Sequence, residues 1–80
     1  MDQNPSLRLL FFGKVAELMG CHEFTCQYFS DTAQLTSFLL ETYPDLKTVG
    51  FVISVNRKVV TGANLKPTDE VALLPPFSGG

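Results

Sequence analysis

The chain has 80 residues, 45% of them hydrophobic, which allows one folded domain and excludes a disordered chain because so much apolar surface offsets the ordering entropy. The formal net charge is -2 and the six Lys and Arg form no cluster larger than the pair Arg57-Lys58, which argues against a basic surface for nucleic acid. We therefore expect residues 1–80 to form a single domain with no nucleic-acid partner.

The first residues are polar and show no secretory signal. Residues 1–5 end in Pro5, which disfavours helix at the preceding residue, so they should form a loose leader. The sequence also lacks an apolar run of about 18 residues, the length that a membrane span requires. We expect a cytoplasmic protein with no membrane partner.

A strand, a short helix and a second strand are predicted in the first third of the chain. Residues 7–12 are apolar at nearly every position, which is typical of a buried strand. Residues 14–19 have the spacing of a short amphipathic helix, and Gly20 suits its C-cap. Residues 22–29 alternate with β-favouring side chains and should pair with the first strand.

The main helix is predicted to start after Asp31. Asp31 is a favourable N-cap, with Gln34 three residues later. Apolar side chains then recur at helical spacing at Leu35, Phe38, Leu39 and Tyr43. The helix must stop at or before Tyr43 because Pro44 has no N–H to donate. Residues 45–50 are expected to form a loop.

Three further strands are predicted in the last third. Residues 51–56 and 59–61 should form a hairpin around a turn at residues 57–58. Residues 70–74 form the last strand, which ends at residues 75–76 because two prolines cannot donate to a ladder. The order predicts an α+β fold: a mixed sheet with one main helix packed on one face.

Side-chain parity predicts which sheet face remains uncovered. The inward set is Leu7, Leu9, Phe11, Phe51, Ile53, Val55, Val71 and Leu73. The outward set is Leu10, Phe12, Val52, Ala72 and Leu74. Because this outward set is too apolar for an idle surface, we expect a protein partner to bind it.

Residues 75–80 read Pro75-Pro76-Phe77-Ser78-Gly79-Gly80 and are expected to form an extended tail. The prolines stiffen its start, and the glycines leave its tip slender enough for a narrow passage. The terminal carboxylate of Gly80 is unhindered, so it could attack ATP, form an acyl-adenylate and receive sulfur as a thiocarboxylate. A terminal Gly-Gly alone is more often a frayed end, but here it follows a double proline and an apolar open face.

Three segments resemble a known family. They are Leu10-Phe11-Phe12-Gly13-Lys14-Val15-Ala16-Glu17-Leu18-Met19-Gly20, then Val55-Asn56-Arg57, and finally residues 69–80. The chain is similar over nearly its whole length to the small, sulfur-carrying subunits of molybdopterin synthase, which have the ubiquitin-like β-grasp fold. In the tail, Phe77 stands where that family more often has Val or Ile.

The resemblance implies a role in molybdenum cofactor biosynthesis. An E1-like adenylating enzyme would use ATP to adenylate Gly80, a sulfur donor protein would supply sulfur, and the thiocarboxylate would serve to build the dithiolene of molybdopterin. The large subunit would hold the catalytic side chains of this transferase, with residues 75–79 threading into it. Phe12, Val60 and Leu74 match the family's partner interface.

Other reactive residue types are assigned no chemistry. His22 shows no metal-ligand spacing and is interpreted as an ordinary strand residue, so neither a base nor a metal site is expected, and no permanently bound cofactor either. Cys21 and Cys26 are interpreted as small apolar residues rather than as sulfur relays.

Two alternative functions share part of this pattern. The first is a sulfur carrier for thiamine synthesis or tRNA thiolation, which would share the Gly-Gly end but usually lacks the double proline. The second is a ubiquitin-like modifier or protein-binding module, in which Gly80 would form isopeptide bonds or the sheet alone would bind.

Overall fold

The computed structural model describes residues 5–76. The predicted leader therefore lies outside the described residues except for Pro5, and so does the tail from Phe77 onward. The elements in chain order are β1 (Ser6–Phe11), α1 (Gly13–Met19), β2 (Glu23–Gln27), α2 (Thr32–Thr42), α3 (Leu46–Val49), β3 (Val52–Val55), β4 (Lys58–Val60) and β5 (Val71–Leu74).

The strands form one five-stranded mixed sheet in the order β2-β1-β5-β3-β4. The first and last strands, β1 and β5, are parallel neighbours at its centre, with Leu9 opposite Val71. The other pairs are antiparallel: β2 lies beside β1, β3 beside β5, and β4 beside β3. The last strand is thus flanked on both sides and delivers the C-terminal segment from the middle of the sheet.

The hydrophobic core lies between one face of the sheet and the helices. Leu7, Leu9 and Phe11 of β1 are completely buried, as alternation along a half-covered strand requires. Helix side chains close this core, namely Val15 and Ala16 from α1, Leu35 and Leu39 from α2, and Leu46 from α3. The predicted inward set is confirmed at six positions, while Phe51 and Val55 are only half-buried.

The start of α2 agrees in detail with the sequence. Asp31 is the N-cap, and its carboxylate accepts a hydrogen bond from the Gln34 backbone N–H at 2.8 Å. The Gln34 side chain accepts from the Ser30 hydroxyl at 3.3 Å. The helix ends at Thr42, with Tyr43 as C-cap directly before Pro44.

The prediction of a loop after Pro44 was wrong. Residues Leu46–Val49 form one helical turn, α3, and Leu46 is completely buried in the core. The turn ends at Gly50, whose N–H donates to the Leu46 carbonyl at 2.7 Å. Four residues are too few to show helical periodicity, so packing of Leu46 rather than local sequence decides this element.

The hairpin turn was also misplaced by one residue. The turn residues are Asn56 and Arg57, with φ 51° and 71°, and Lys58 already pairs with Val55. Positive φ at both central residues is the requirement of a two-residue type I′ turn, which Asn tolerates well. The shift matters because it decides which face each residue of β4 occupies.

Side-chain hydrogen bonds hold the connection from β4 to β5 at both of its ends. Near α2, the buried Thr32 hydroxyl accepts from Ala63 N–H at 3.1 Å, and the Tyr28 hydroxyl donates to the Leu65 carbonyl. At the far end, Asp69 accepts from Lys66 N–H at 2.8 Å and from the Asn56 amide at 3.0 Å. These two hydrogen bonds, the backbone one first, lower the pKa of the Asp69 carboxyl.

Candidate functional site: the open sheet face and the start of the tail

One face of the sheet is left free of the helices. We call it the open face and define it by the side chains of Leu10, Phe12, Val52, Ser54, Val59, Ala72 and Leu74. Their register places them between the core residues of each strand; for example, Leu10 lies opposite Ala72, and Ala72 lies opposite Ser54. In the part of the chain that the structure describes, none of them belongs to the buried core cluster.

The centre of the open face is formed by small residues, and the large side chains around it are apolar. Ala72 and Ser54 are 6% and 5% exposed, because both lie on inner strands and are small. Phe12, at 47%, and Val59, at 52%, are the large apolar side chains that stand out to solvent. An apolar surface with a small-residue floor and projecting side chains can receive a partner's apolar residues.

Phe12 and Leu74 are brought together by the central parallel pair. Phe12 follows β1 with extended backbone, φ -131° and ψ 153°, so its side chain points opposite to that of Phe11. Its N–H donates to the Leu73 carbonyl at 3.2 Å, which continues the ladder and places Phe12 beside Leu74. Leu74 in turn pairs with Val52. The three form a continuous apolar row.

Val60 does not lie on the open face. It pairs with Ile53, which pairs with the fully buried Leu73, so its row faces the helices. Val60 is half-buried and packs on the core at the edge of the sheet. Its neighbour Val59, opposite Ser54, occupies the open face instead. Sequence reasoning missed Val59, and the signal that could have found it is Asn56, the residue that favours the two-residue turn.

Charged side chains lie on the rim of this surface. Arg8 and Glu23 form an ion pair at 2.7 Å beside Leu10, with both side chains more than half exposed. Arg57 and Glu70 approach to 3.6 Å at the hairpin end. Exposed pairs like these contribute little stability, but charges around an apolar centre steer partner association.

The tail begins at the centre of the sheet. Leu74 is the last residue of β5, Pro75 is half-buried and Pro76 is exposed. Phe77, Ser78, Gly79 and Gly80, the remaining residues predicted to act, lie outside the described residues. They follow Pro76, and the described part of the tail starts beside the apolar row of Phe12, Leu74 and Val52.

The two cysteines are free and differ in burial. Cys26 lies in β2 opposite Leu7, is 8% exposed, and has its thiol pKa raised by burial. Because the thiolate is the nucleophile, this environment makes Cys26 a poor one. Cys21 is half-buried against the core. Within residues 5–76, no group of three or more His, Cys, Asp or Glu is placed to hold a metal ion.

No helix in the described part of the chain is both long enough and apolar enough to cross a membrane.

Comparison with known proteins gives the family. The model of the ThiS family matches residues 9–80, which include the open face, β5 and the tail. This chain belongs to the ThiS family.

Two curated relatives of this ThiS-family chain are named molybdopterin synthase sulfur carrier subunit. The protein of Caenorhabditis briggsae is 32% identical over 82 residues, covering 94% of this chain and 98% of the relative. The protein of Caenorhabditis elegans is 29% identical with the same coverage. The resemblance noted in the sequence is therefore confirmed.

Solved structures confirm the fold. The small archaeal modifier protein 1 of Methanosarcina acetivorans superposes with a TM-score of 0.76 at 23% identity, over 99% of this chain and all of that chain. A putative molybdopterin converting factor subunit 1 of Pyrococcus furiosus superposes with a TM-score of 0.78 at 20% identity, over 90% of this chain and 98% of that chain. The mixed sheet with helices on one face is the ubiquitin-like β-grasp.

A third solved structure is a complex. It contains subunits 1 and 2 of the molybdopterin-converting factor of Helicobacter pylori and is similar with a TM-score of 0.67 at 27% identity. The match covers 94% of this chain and 99% of that chain.

Proposed function

We propose that this chain is the sulfur carrier subunit of a molybdopterin synthase and acts in molybdenum cofactor biosynthesis in the cytoplasm. The observation that carries the proposal is the match to curated relatives of that name across 94% of the chain, with the family model extending through Gly80. The β-grasp fold and the apolar open face are consistent with it. The chain would serve as a reagent that other proteins load and unload.

The chemistry resides in the carboxylate of Gly80. A carboxylate oxygen bonds to the α-phosphorus of ATP and pyrophosphate leaves, which gives an acyl-adenylate. Sulfur at the oxidation level of sulfide then attacks the carbonyl carbon and AMP leaves, so that the product is a thiocarboxylate. An E1-like adenylating enzyme supplies the nucleotide site, and a sulfur donor protein supplies the sulfur. No cofactor needs to be bound permanently.

The partner on which the sulfur is transferred to the molybdopterin precursor is the large subunit. The complex of subunits 1 and 2 in Helicobacter pylori supports such a partner for this chain. Residues 75–79 would enter the large subunit, and the open face around Phe12 and Leu74 would dock on it. Val60, on the other face, would contact a partner only at the sheet edge. The large subunit would contribute the catalytic side chains, and this chain the sulfur for the dithiolene.

The test is an intact mass measurement. The chain is produced in a host with an active sulfur-transfer pathway, and the C-terminal peptide is examined for replacement of one oxygen by sulfur. We expect this replacement on Gly80 of the wild type. A variant that lacks Gly79 and Gly80 should keep the thermal stability of the wild type and should show no replacement. A carboxylate that remains unmodified in the presence of the adenylating enzyme, ATP and the sulfur donor would refute the proposal.

The same mass measurement distinguishes the proposed sulfur carrier from a protein modifier. Structures of small archaeal modifier proteins share the fold at 23% and 24% identity, which is evidence for the fold alone. A modifier would appear joined to lysine side chains through Gly80, as higher-mass conjugates that survive denaturation.

A carrier for thiamine synthesis or tRNA thiolation would form the thiocarboxylate but would not restore molybdopterin formation with the large subunit.

A further inference from the structure

The first residue of α1 lies directly against the first proline of the tail. A Cβ built on Gly13 would stand 2.6 Å from Pro75 Cγ and 3.5 Å from Pro75 Cδ. Carbon atoms in contact normally remain about 3.5–4.0 Å apart. The pyrrolidine ring is tied to the backbone and cannot swing away as a flexible side chain would. A side chain at residue 13 would therefore displace the Pro75 backbone by about 1 Å.

This approach is produced by the sheet and not by local sequence. Phe11 pairs with Leu73 in parallel register, and the Phe12 N–H bond to the Leu73 carbonyl extends the pairing. The next step of the same register brings Gly13 opposite Pro75. Because Val15 and Ala16 anchor α1 in the core, the surface that Pro75 meets is held firmly.

A second glycine borders the tail from the other side. Val52 pairs with Leu74 in antiparallel register, which brings Gly50 opposite Pro76. A Cβ at Gly50 would be 3.6 Å from Pro76 Cγ, an ordinary contact distance. Gly50 is required by its own backbone, φ 76° and ψ 160°, a region essentially restricted to glycine. Gly13 is the position where a side chain would collide with the tail.

We propose that Gly13 is a positioning residue for the reactive tail. Its missing side chain lets the Pro75 ring pack on the start of α1, and this contact sets the direction in which the chain leaves β5. The inference rests on the proposed function, since a fixed exit direction matters only if Gly80 must reach a reaction centre on another protein. A displacement of about 1 Å can slow a positioned reaction by about a hundredfold.

The test measures adenylation of the Gly13→Ala variant. The E1-like adenylating enzyme, ATP and sulfide are supplied, so that sulfide consumes each acyl-adenylate with release of AMP, and pyrophosphate release is followed at varied carrier concentration. We expect kcat to fall by about tenfold or more because the carboxylate is misaligned, with KM unchanged because the open face still docks. Loss of folding alone would reduce the amount of active carrier and raise the apparent KM instead.

The matched control is Gly62→Ala. Gly62 has a similar left-handed backbone, φ +69° against +57° at Gly13, but among the described residues no atom lies within 4 Å of its added Cβ. Both variants therefore carry the same kind of backbone strain, and only Gly13→Ala displaces Pro75. We expect Gly62→Ala to lose thermal stability and to keep the wild-type kcat.

A double-mutant cycle identifies the contact responsible. Pro75→Ala removes Cγ and Cδ, which leaves the Pro75 Cβ position 3.9 Å from an added Cβ at residue 13. In that background Gly13→Ala should cost much less in kcat than it does in the wild type. An equal loss in both backgrounds would assign the effect to strain at residue 13 and overturn the inference.

The outcomes separate the inference from the function on which it rests. If the wild-type chain is not adenylated, the proposed function fails. If the wild type is adenylated and Gly13→Ala matches its kcat, only the positioning role fails. If Gly13→Ala does not fold, the wild type can still be tested by NMR. The inference predicts a nuclear Overhauser contact between the Gly13 Hα protons and the Pro75 ring protons, and its absence would overturn the inference.

Discussion

At the scale of single residues, a few side chains act through defined hydrogen bonds. Asp31 begins the main helix by accepting from the Gln34 N–H at 2.8 Å, and Thr32 beside it binds the loop that leads to β5. Helix starts leave N–H groups without partners inside the helix, so a carboxylate at this point stabilises α2 and the helix layer over the core.

We expect Asp31→Ala to lower the free energy of unfolding by about 1 kcal/mol, because the helix start loses its acceptor. Urea denaturation followed by circular dichroism measures the change. Asp31→Asn is the matched control, since an Asn side chain also accepts at the N-cap, and it should lose much less. Equal losses in the two variants would mean that the charge of Asp31, and not its hydrogen bond, stabilises the helix.

At the scale of elements, the hairpin of β3 and β4 carries backbone strain at a known place. Arg57 has φ 71°, which an L-residue adopts at a cost, and its neighbour Asn56 bonds to Glu70 N–H at 3.0 Å and to Asp69. The turn therefore connects the hairpin to the segment entering β5. It also places Val59 on the open face.

Arg57→Gly should raise the free energy of unfolding by about 0.5–1 kcal/mol, because Gly takes positive φ without the steric cost. The gain is reduced slightly by loss of the exposed Arg57–Glu70 pair. Arg57→Ala removes the same pair but keeps the strain, so it should not stabilise. Thermal unfolding of the three proteins measures the difference, and stabilisation by Ala as well as Gly would show that the arginine itself is unfavourable.

The Asp69 hydrogen bonds predict a pH dependence for the same region. The pKa of Asp69 is lowered in the folded chain, so its carboxylate stabilises the fold fully above the unfolded pKa of about 3.9 and less as pH falls through the folded pKa. The stability difference between wild type and Asp69→Asn should therefore shrink on acidification below that range. Urea midpoints measured at a series of pH values test this; a difference that stays constant would exclude linkage through Asp69.

At the scale of the whole molecule, the helices cover one sheet face, and within residues 5–76 the other face has no helix packed on it. The open face is apolar, has the small residues Ala72 and Ser54 at its centre, and adjoins the point where the tail starts. In the proposed function, one docking event on the open face would bind this chain and direct its C-terminal residues into the same protein. The separate roles of face and tail predict that each can be damaged alone.

Phe12→Asp should weaken binding to the large subunit by about 2 kcal/mol or more, because it removes a large apolar contact and buries a charge. Ala33→Asp, an exposed position on α2, adds the same charge to the other side of the molecule and should leave affinity unchanged. Isothermal titration calorimetry with the large subunit measures both. Equal affinities for Phe12→Asp and the wild type would exclude the open face as the docking surface.

The sequence by itself determined the strands, the two longer helices, the inward residues of β1 and the cap of α2, because alternation, helical spacing and capping are local patterns. It also determined the family, through motifs that continue to Gly80. The outward side of Val59 follows from the two-residue turn that Asn56 favours, which is a local signal. Only the tertiary structure decided that a helical turn forms around the buried Leu46 and that Gly13 meets Pro75. These features depend on register and packing between segments distant in the chain, which no local pattern specifies.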